Sequence, residues 1–130
     1  MSDALGKTFQ PGEDIIRQGD VGDCMYVIQQ GESEVLKEVD GKQVRVDTMK
    51  AGDLFGEIAI VEHTTRSSTV RAITEVHVMT IDRKTFLRRV QEDPSLAINV
   101  LKVMAHRVRV LDKELAMLKQ SLSGSGLGAG

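Results

Sequence analysis

Several features that mark whole classes of proteins are scarce or absent in this 130-residue chain. It contains one cysteine, Cys24, which excludes an internal disulfide framework and agrees with a reducing cytoplasm. The formal net charge of −2 argues against nucleic-acid binding, because proteins with that function usually carry a basic excess. No apolar run approaches the roughly 20 residues of a membrane span, and residues 1–4 do not resemble a secretory signal. We therefore expect a cytoplasmic protein that binds neither membrane nor nucleic acid.

The chain also lacks the side-chain sets of a metal site or a catalytic centre. Its three histidines, His63, His77 and His106, do not have metal-ligand spacing. Glu57 and Arg66 could be mistaken for a catalytic acid and an electrostatic stabiliser, but no metal set or activated nucleophile accompanies them. We therefore expect no metal, no cofactor, no catalytic residue and no enzymatic activity.

Short alternating segments separated by glycines fill the chain from Lys7 to Asp82, and they indicate strands joined by turns. Asp40-Gly41 predicts a hairpin, because both residues tolerate positive φ. Residues 1–6 carry little pattern and are predicted to be a loose end or a short lead-in helix. With 41% hydrophobic residues the chain can build one core. We predict a small antiparallel barrel or sandwich, with strands at residues 15–16, 25–29, 35–39, 44–49, 69–73 and 75–81.

After Asp82 the hydrophobic period becomes helical. Asp82 is a suitable cap for a short helix from residue 83 to about 91. Asp93 and Pro94 are predicted to begin a long second helix, with aspartate at the cap and proline at the first position. We predict one domain over residues 1–122, with strands at about 7–82 and helices at about 83–122. The Ser/Gly-rich residues 123–130 are predicted to be a flexible tail.

Apolar residues along the second helix recur at alternating intervals of four and three, which is the a/d pattern of a coiled coil. One apolar stripe can cover the strands, while another meets the same helix of a second chain in a parallel homodimer. The alternative is a helix that only packs on its own domain. We favour the dimer because the heptads continue past the length that such packing needs. The heptad residues are Ala97, Leu101, Met104, Val108, Leu111, Leu115, Leu118 and Leu122, and the second stripe is Val100, Val103 and Val110.

Residues 55–70, here called the cassette, have an arrangement that suits a phosphorylated sugar. Gly56 allows close approach, and the N–H groups of the turn that follows can bind an anion. Arg66 can supply a positive charge and a planar fork for two phosphate oxygens. Glu57 is acceptor-only, so a sugar hydroxyl is a fitting partner. Taken alone, Arg66 is equally a surface arginine, and Glu57 an ordinary carboxylate at a helix N-terminus.

The cassette closely resembles the signature of cyclic nucleotide-binding domains. The resemblance is carried by Phe55-Gly56-Glu57-Ile58-Ala59-Ile60 and by Arg66-Ser67-Ser68-Thr69-Val70-Arg71-Ala72. A second family element lies upstream, in Phe9 to Ile16, Gln18-Gly19-Asp20, Tyr26-Val27-Ile28 and Gly31. The resemblance runs from about Thr8 to Lys119. It implies a mainly β fold with C-terminal helices: an antiparallel jelly-roll-like β-roll with a short cassette helix and a long C-terminal helix.

The resemblance also implies a set of ligand contacts. Glu57 would hold the ribose 2′-hydroxyl, Arg66 would pair with the cyclic phosphate, and the backbone around Gly56 would complete the phosphate cradle. Ser67 could add a hydroxyl, and Arg107 on the long helix could approach the base. The predicted ligand-binding set is Phe55, Gly56, Glu57, Ile58, Ala59, Arg66, Ser67, Ser68 and Arg107.

Departures from the family pattern concern the loop and the base. Thr65 stands where many members have proline before the arginine, so the loop is expected to be less rigid. Leu111 and Asp112 align with a threonine and a serine that reach adenine in catabolite activator proteins. Base recognition by that route is therefore not expected. The phosphate and ribose contacts are common to cAMP and cGMP, and we favour cAMP because no guanine-specific donor and acceptor set is evident.

These patterns predict a stand-alone sensor domain that binds cAMP, or cGMP as the second choice, and signals to an effector protein by repositioning its long helix. It resembles the sensor half of catabolite activator proteins without their helix-turn-helix domain. One alternative is a dimerising protein-interaction module with a vestigial or differently tuned pocket. Another is a cupin-like metalloenzyme, but it would need histidines and a carboxylate clustered on neighbouring strands, which this sequence lacks.

Overall fold

The computed structural model describes residues 5–62 and 64–124, and these contain eight strands and three helices. The strands are β1 (Leu5–Phe9), β2 (Asp14–Ile16), β3 (Cys24–Gln30), β4 (Ser33–Val39), β5 (Lys42–Met49), β6 (Leu54–Phe55), β7 (Thr69–Ala72) and β8 (Val76–Asp82). The helices are α1 (Ile58–Val61), α2 (Arg83–Glu92) and α3 (Ser95–Gly124). The predicted order of strands, short cassette helix and C-terminal helices is confirmed.

The strands form two antiparallel sheets, in the orders β1-β8-β3-β6 and β2-β7-β4-β5. Both sheets contribute side chains to one apolar cluster, so their inner faces pack on each other. Alternation drives this burial: Val76 and Val78 of β8 are fully buried, while His77 between them is only half-buried. The cluster consists of Ile15, Tyr26, Ile28, Val35, Phe55, Val70, Ala72, Val76 and Val78. The predicted antiparallel β-roll is therefore confirmed.

Two strands were not predicted. β1 begins at Leu5, so the expectation of a loose end or lead-in helix is wrong for Leu5 and Gly6, and residues 1–4 lie outside the described part of the chain. β1 pairs with distant β8, from Leu5 opposite Thr80 to Phe9 opposite Val76, and no local pattern records that pairing. β6 has only two residues, too few to show a period.

The predicted hairpin is confirmed between β4 and β5. Asp40 has φ of 51° and Gly41 has φ of 78°, the positive pair that a two-residue type I′ turn requires. Val39 and Lys42 pair on either side of this turn, so the local sequence was sufficient to set the register there.

The helix boundaries agree with the predictions to within one or two residues. Asp82 caps α2, because its carboxylate accepts a hydrogen bond from the Thr85 N–H at 2.7 Å. Asp93 has extended backbone and ends α2, as expected for a residue before proline, so α3 starts at Ser95 rather than at Pro94. α3 continues to Gly124, two residues beyond the predicted limit, so the tail prediction is wrong for residues 123 and 124. Residues 125–130 lie outside the described part.

The chain divides into two compact units, Met1–Asp93 and Pro94–Gly130. The first unit holds both sheets, α1 and α2, and the second holds α3. The predicted boundary of a single domain at residue 122 stays a prediction.

Replacing Asp82 by alanine is expected to lower the free energy of unfolding by about 1 kcal/mol, because the first turn of α2 loses its cap. The bond from the Thr85 N–H holds the pKa of the Asp82 carboxyl below its usual range. The contribution of the charged form is therefore complete above the unfolded-state pKa of about 4 and is lost as pH falls through the lower folded-state pKa. Urea unfolding at neutral and successively lower pH measures both effects.

Asp82→Asn is the matched control, because its amide oxygen keeps the cap acceptor without the charge. The advantage of the wild type over this variant should shrink as pH falls. An advantage that stays constant down to acid pH would contradict the charge effect.

Candidate functional site

The cassette begins with an aromatic anchor. Phe55 is 2% exposed and pairs with Tyr26 of β3, and their rings meet edge to face with centroids 5.0 Å apart. Gly56 follows with φ of +79°, the left-handed region that glycine adopts without strain. The chain then enters α1, which buries Ala59 and Ile60. The anchor and the glycine together fix where the turn starts.

Glu57 lies inside the protein rather than on a solvated helix end. Its side chain is 2% exposed, and the residue precedes α1 in helical conformation without making a side-chain cap. The interpretation as an ordinary N-terminal carboxylate therefore does not fit, since such a group is solvated or caps the helix. Burying a carboxylate is costly unless it serves as a hydrogen-bond acceptor. Glu57 is thus placed as an acceptor in the interior of the cassette.

The guanidinium of Arg66 is brought back to the start of the cassette. Nη1 donates to the carbonyl oxygen of Gly56 at 3.3 Å, and Nη2 donates to the carbonyl oxygen of Cys24 at 2.8 Å. The Gly56 carbonyl also accepts the Ala59 N–H at 3.2 Å, so one oxygen joins the arginine to the cassette turn. Arg66 is only 8% exposed. The prediction that Gly56 and Arg66 come together in space is thus supported by their direct hydrogen bond.

This buried cation is held by neutral groups. Among the residues that the structure describes, no carboxylate lies within ion-pair distance of Arg66. A charge removed from water is costly unless an opposite charge and further hydrogen bonds compensate it. The two carbonyls use only part of the hydrogen-bonding capacity of the guanidinium. The arrangement is therefore suited to receive an anion.

The upstream motif holds the backbone of Arg66. Its N–H donates to the Asp20 carbonyl at 2.7 Å, and its own carbonyl accepts the Gly19 N–H at 2.9 Å. Thr65 forms an antiparallel bridge with Val21, so the residue that replaces proline here has a backbone partner. These contacts explain why the two separated motifs occur together: one supplies the arginine and the other supports its backbone.

Three contacts of the guanidinium were not predicted from the sequence. A Cβ on Gly22 would overlap the Arg66 guanidinium, so this glycine allows the close approach. The Cys24 thiol lies 4.0 Å from Nη2. The Tyr26 ring lies beneath the guanidinium, with Cζ 5.7 Å from the ring centroid. Tyr26 belongs to the family element noted above, which was the available signal for it.

The remaining predicted residues are less closely associated. Ile58 is 44% exposed, Ser67 is exposed and Ser68 is half-buried. The described residues contain no group of three or more side chains suited to a metal ion. In the same part of the chain, none of the helices combines the length and apolar character that a membrane span requires. Arg107 lies on α3 in the second unit, and its role at the base stays a prediction.

Comparisons with known proteins agree with this geometry. A family model described as the cyclic nucleotide-binding domain matches residues 6–93. A cAMP-dependent protein kinase regulatory subunit of Schizosaccharomyces pombe is 45% identical over 89 residues, which is 68% of this chain and 21% of the relative. A CRP-like cAMP-activated global transcriptional regulator of Mycobacterium tuberculosis is 31% identical over 121 residues, which is 88% of this chain and 54% of the relative.

A solved structure shows the same architecture. The catabolite activator protein of Thermus thermophilus superposes with a TM-score of 0.83 at 25% sequence identity, over 89% of this chain and 55% of that one. The chain therefore spans between about a fifth and about half of the length of these relatives. The residues that the family model matches include the cassette, α2, the strands β2 to β8 and β1 from Gly6 onward.

Gly56→Ala is expected to destabilise the protein more than Gly52→Ala. Both glycines have positive φ, so each variant carries the left-handed strain of about 1 kcal/mol. A Cβ at Gly52 meets nothing within 4 Å, whereas one at Gly56 lies 2.8 Å from Arg66 Nη1 and 3.2 Å from the Cys24 carbonyl oxygen. The difference between the two free energies of unfolding, measured in urea, gives the cost of crowding Arg66 and the Cys24 carbonyl. Equal losses would show that these two contacts contribute nothing.

Proposed function

The chain belongs to the cyclic nucleotide-binding domain family, and on this premise we propose that it is a regulatory sensor domain whose cassette binds cAMP in preference to cGMP. The observation that carries the proposal is the buried guanidinium of Arg66. It is held by the carbonyls of Cys24 and Gly56 and has no carboxylate within ion-pair distance among the described residues. A cyclic phosphate supplies the negative charge and the acceptors that this cation lacks.

Each cassette residue has a role in this proposal. Arg66 pairs with the cyclic phosphate, and Glu57 accepts a hydrogen bond from the ribose 2′-hydroxyl. The backbone of Gly56, Ile58 and Ala59 lines the phosphate. Phe55 anchors the start of the turn in the core, and the hydroxyls of Ser67 and Ser68 add contacts to the ligand. The internal position of Glu57 supports its role. A carboxylate removed from water is stabilised by hydrogen-bond donors, and a ribose hydroxyl is such a donor.

The preference for cAMP rests on two arguments. The sequence has no evident guanine-specific set of donors and acceptors. Two of the relatives are named for cAMP, one as a cAMP-dependent kinase regulatory subunit and one as a cAMP-activated regulator. Arg107 is proposed as a contact to the base, where a guanidinium can stack on a planar ring.

Signalling is proposed to pass through α3. A ligand changes the population of two states only by binding them with different affinity, so occupancy of the cassette must be linked to the position of this helix. We propose that α3 also forms a parallel two-fold homodimer. The heptad stripe supports this part, because six of its eight side chains are 49–65% exposed within one chain: Leu101, Val108, Leu111, Leu115, Leu118 and Leu122.

The function is tested by isothermal titration of the protein with cAMP, cGMP and 5′-AMP. We expect cAMP to bind with micromolar or better affinity, cGMP more weakly and 5′-AMP much more weakly, because its open phosphate does not match a site shaped for the cyclic one. Thermal shift with each nucleotide is the second readout, since a ligand that binds the folded state raises its stability. If neither cyclic nucleotide produces heat or a thermal shift, an interaction module with a differently tuned pocket becomes the better hypothesis.

Arg66→Ala is expected to weaken cyclic nucleotide binding at least tenfold while the protein remains folded. A hydrogen bond to a charged group contributes about 1.5–3 kcal/mol. Arg71→Ala is the matched control. Arg71 lies on β7, forms an ion pair with Asp14 at 2.7 Å and is not part of the cassette contacts. Titration of both variants, with circular dichroism to confirm folding, should show a loss for Arg66 alone. Equal affinity in Arg66→Ala and wild type would remove Arg66 from the site.

The double variant Leu111→Lys and Leu118→Lys is expected to be a monomer in light scattering, because two like charges would face each other across the a/d seam. Met117→Lys is the control, since Met117 is 60% exposed but lies off the heptad stripe. A double variant whose mass remains twice that of the chain would place the interface elsewhere.

A further inference from the structure

We propose that Tyr26 is a positioning residue for Arg66: its ring holds the guanidinium in place in the anion subsite before the ligand arrives. The inference rests on the proposed function, because it takes the ligand of Arg66 to be a phosphate. The sequence placed Tyr26 in the upstream family element without assigning it a role.

The guanidinium of Arg66 contacts the Tyr26 ring and two backbone carbonyls at once. Cζ of Arg66 lies 5.7 Å from the Tyr26 centroid, within the range of a cation–π contact. The carbonyls of Cys24 and Gly56 accept hydrogen bonds from Nη2 and Nη1. A contact over an aromatic ring and two hydrogen bonds from different nitrogens restrain the guanidinium more than either would alone. Together they select one orientation for the remaining donors.

The Tyr26 ring is buried and has packing partners of its own. Tyr26 is 9% exposed, and its strand pairs with Phe55 of β6 on one side and with Thr80 of β8 on the other. The Phe55 ring meets the Tyr26 ring edge to face, with an interplanar angle of 72°. Phe55 at the start of the cassette therefore packs against Tyr26, and the Tyr26 ring in turn contacts Arg66. A desolvated cation–π contact is also stronger than an exposed one.

The chemistry of the phenol agrees with this role. Burial raises the pKa of Tyr26 to about 12, the Cys24 thiol adds to the rise, and the Arg66 guanidinium opposes it. The phenol is therefore neutral at physiological pH. Tyr26 therefore acts on Arg66 through its ring rather than as a countercharge.

The test separates the ring from the hydroxyl and from general packing. Tyr26→Phe keeps the ring, Tyr26→Leu removes it, and Phe9→Leu is a control because Phe9 packs against the same core. We expect Tyr26→Phe to bind cAMP within about twofold of wild type and Tyr26→Leu to bind roughly tenfold more weakly. Phe9→Leu should leave the affinity unchanged.

A double-mutant cycle then shows whether Tyr26 acts through Arg66. In the Arg66→Ala background, Tyr26→Leu should cause little further loss of affinity, because the residue it positions is gone. Equal losses in both backgrounds would overturn the proposal, since they would show a packing effect independent of the arginine.

If Tyr26→Leu does not fold, phenylalanine analogues carrying increasing numbers of ring fluorines at position 26 keep the shape and weaken the negative ring face. Affinity should then fall stepwise with fluorination, and a flat series would overturn the proposal.

The same cycle measured on unfolding needs no ligand. Tyr26→Leu and Arg66→Ala should be coupled, so that their combined effect on the unfolding equilibrium differs from the product of the single effects by about 2- to 30-fold. If wild type binds no cyclic nucleotide, the proposed function fails while this coupling still decides the positioning role. Effects that simply multiply would overturn it. Tyr26 is the single tyrosine and the chain has no tryptophan, so its fluorescence reports unfolding from the site itself in the variants that retain it.

Discussion

The burial of one arginine constrains the rest of this site. Arg66 is held by the carbonyl of Cys24 in β3 and by the carbonyl of Gly56 at the start of the cassette, and it is almost entirely removed from water. A cation accepts such a position only if surrounding dipoles are already in place to replace its hydration. The guanidinium can therefore take this place only when the strand β3, the short strand β6 and the turn that carries Gly19 and Asp20 are present around it.

Two glycines make that assembly sterically feasible, each for its own reason. Gly22 has no Cβ to overlap the guanidinium, whereas Gly56 combines close approach with a left-handed backbone. Other glycines, such as Gly12 and Gly41, have positive φ with open space around them and serve turns alone. The sequence displays all of these as similar punctuation. Only the spatial neighbours distinguish a glycine of the site from a glycine of a turn.

The family comparison bears differently on the two compact units. The matched residues 6–93 coincide with the unit that carries both sheets and the cassette, and the long helix α3 follows them. The region shared with this chain is 21% of the kinase regulatory subunit and 54% of the transcriptional regulator. Family membership is therefore shown for the unit that carries the cassette, while the proposed homodimer rests on the heptad pattern of α3 and its exposure. The two parts need different evidence, because the contacts of the cassette lie within one chain whereas a coiled coil needs a second chain.

Local sequence determined much of this protein. Alternation predicted the strands with clear periods, Asp40-Gly41 predicted the hairpin, Asp82 predicted the cap of α2, and the cassette motif predicted that Gly56 and Arg66 belong to one site. Each of these depends on conformational preferences within a few residues or on a contiguous motif. The sequence also led to errors where those preferences are weak, at the start of β1 and at the end of α3.

Tertiary structure alone decided which groups surround the arginine. Cys24 and Tyr26 are 42 and 40 residues from Arg66, so no periodicity relates them, and they meet it because β3 runs beside the cassette. The same holds for β1, whose partner β8 lies at the other end of the sheet-forming region. Long-range pairing is a property of the closed sheets rather than of any segment, because its free energy comes from burial that no single strand can achieve.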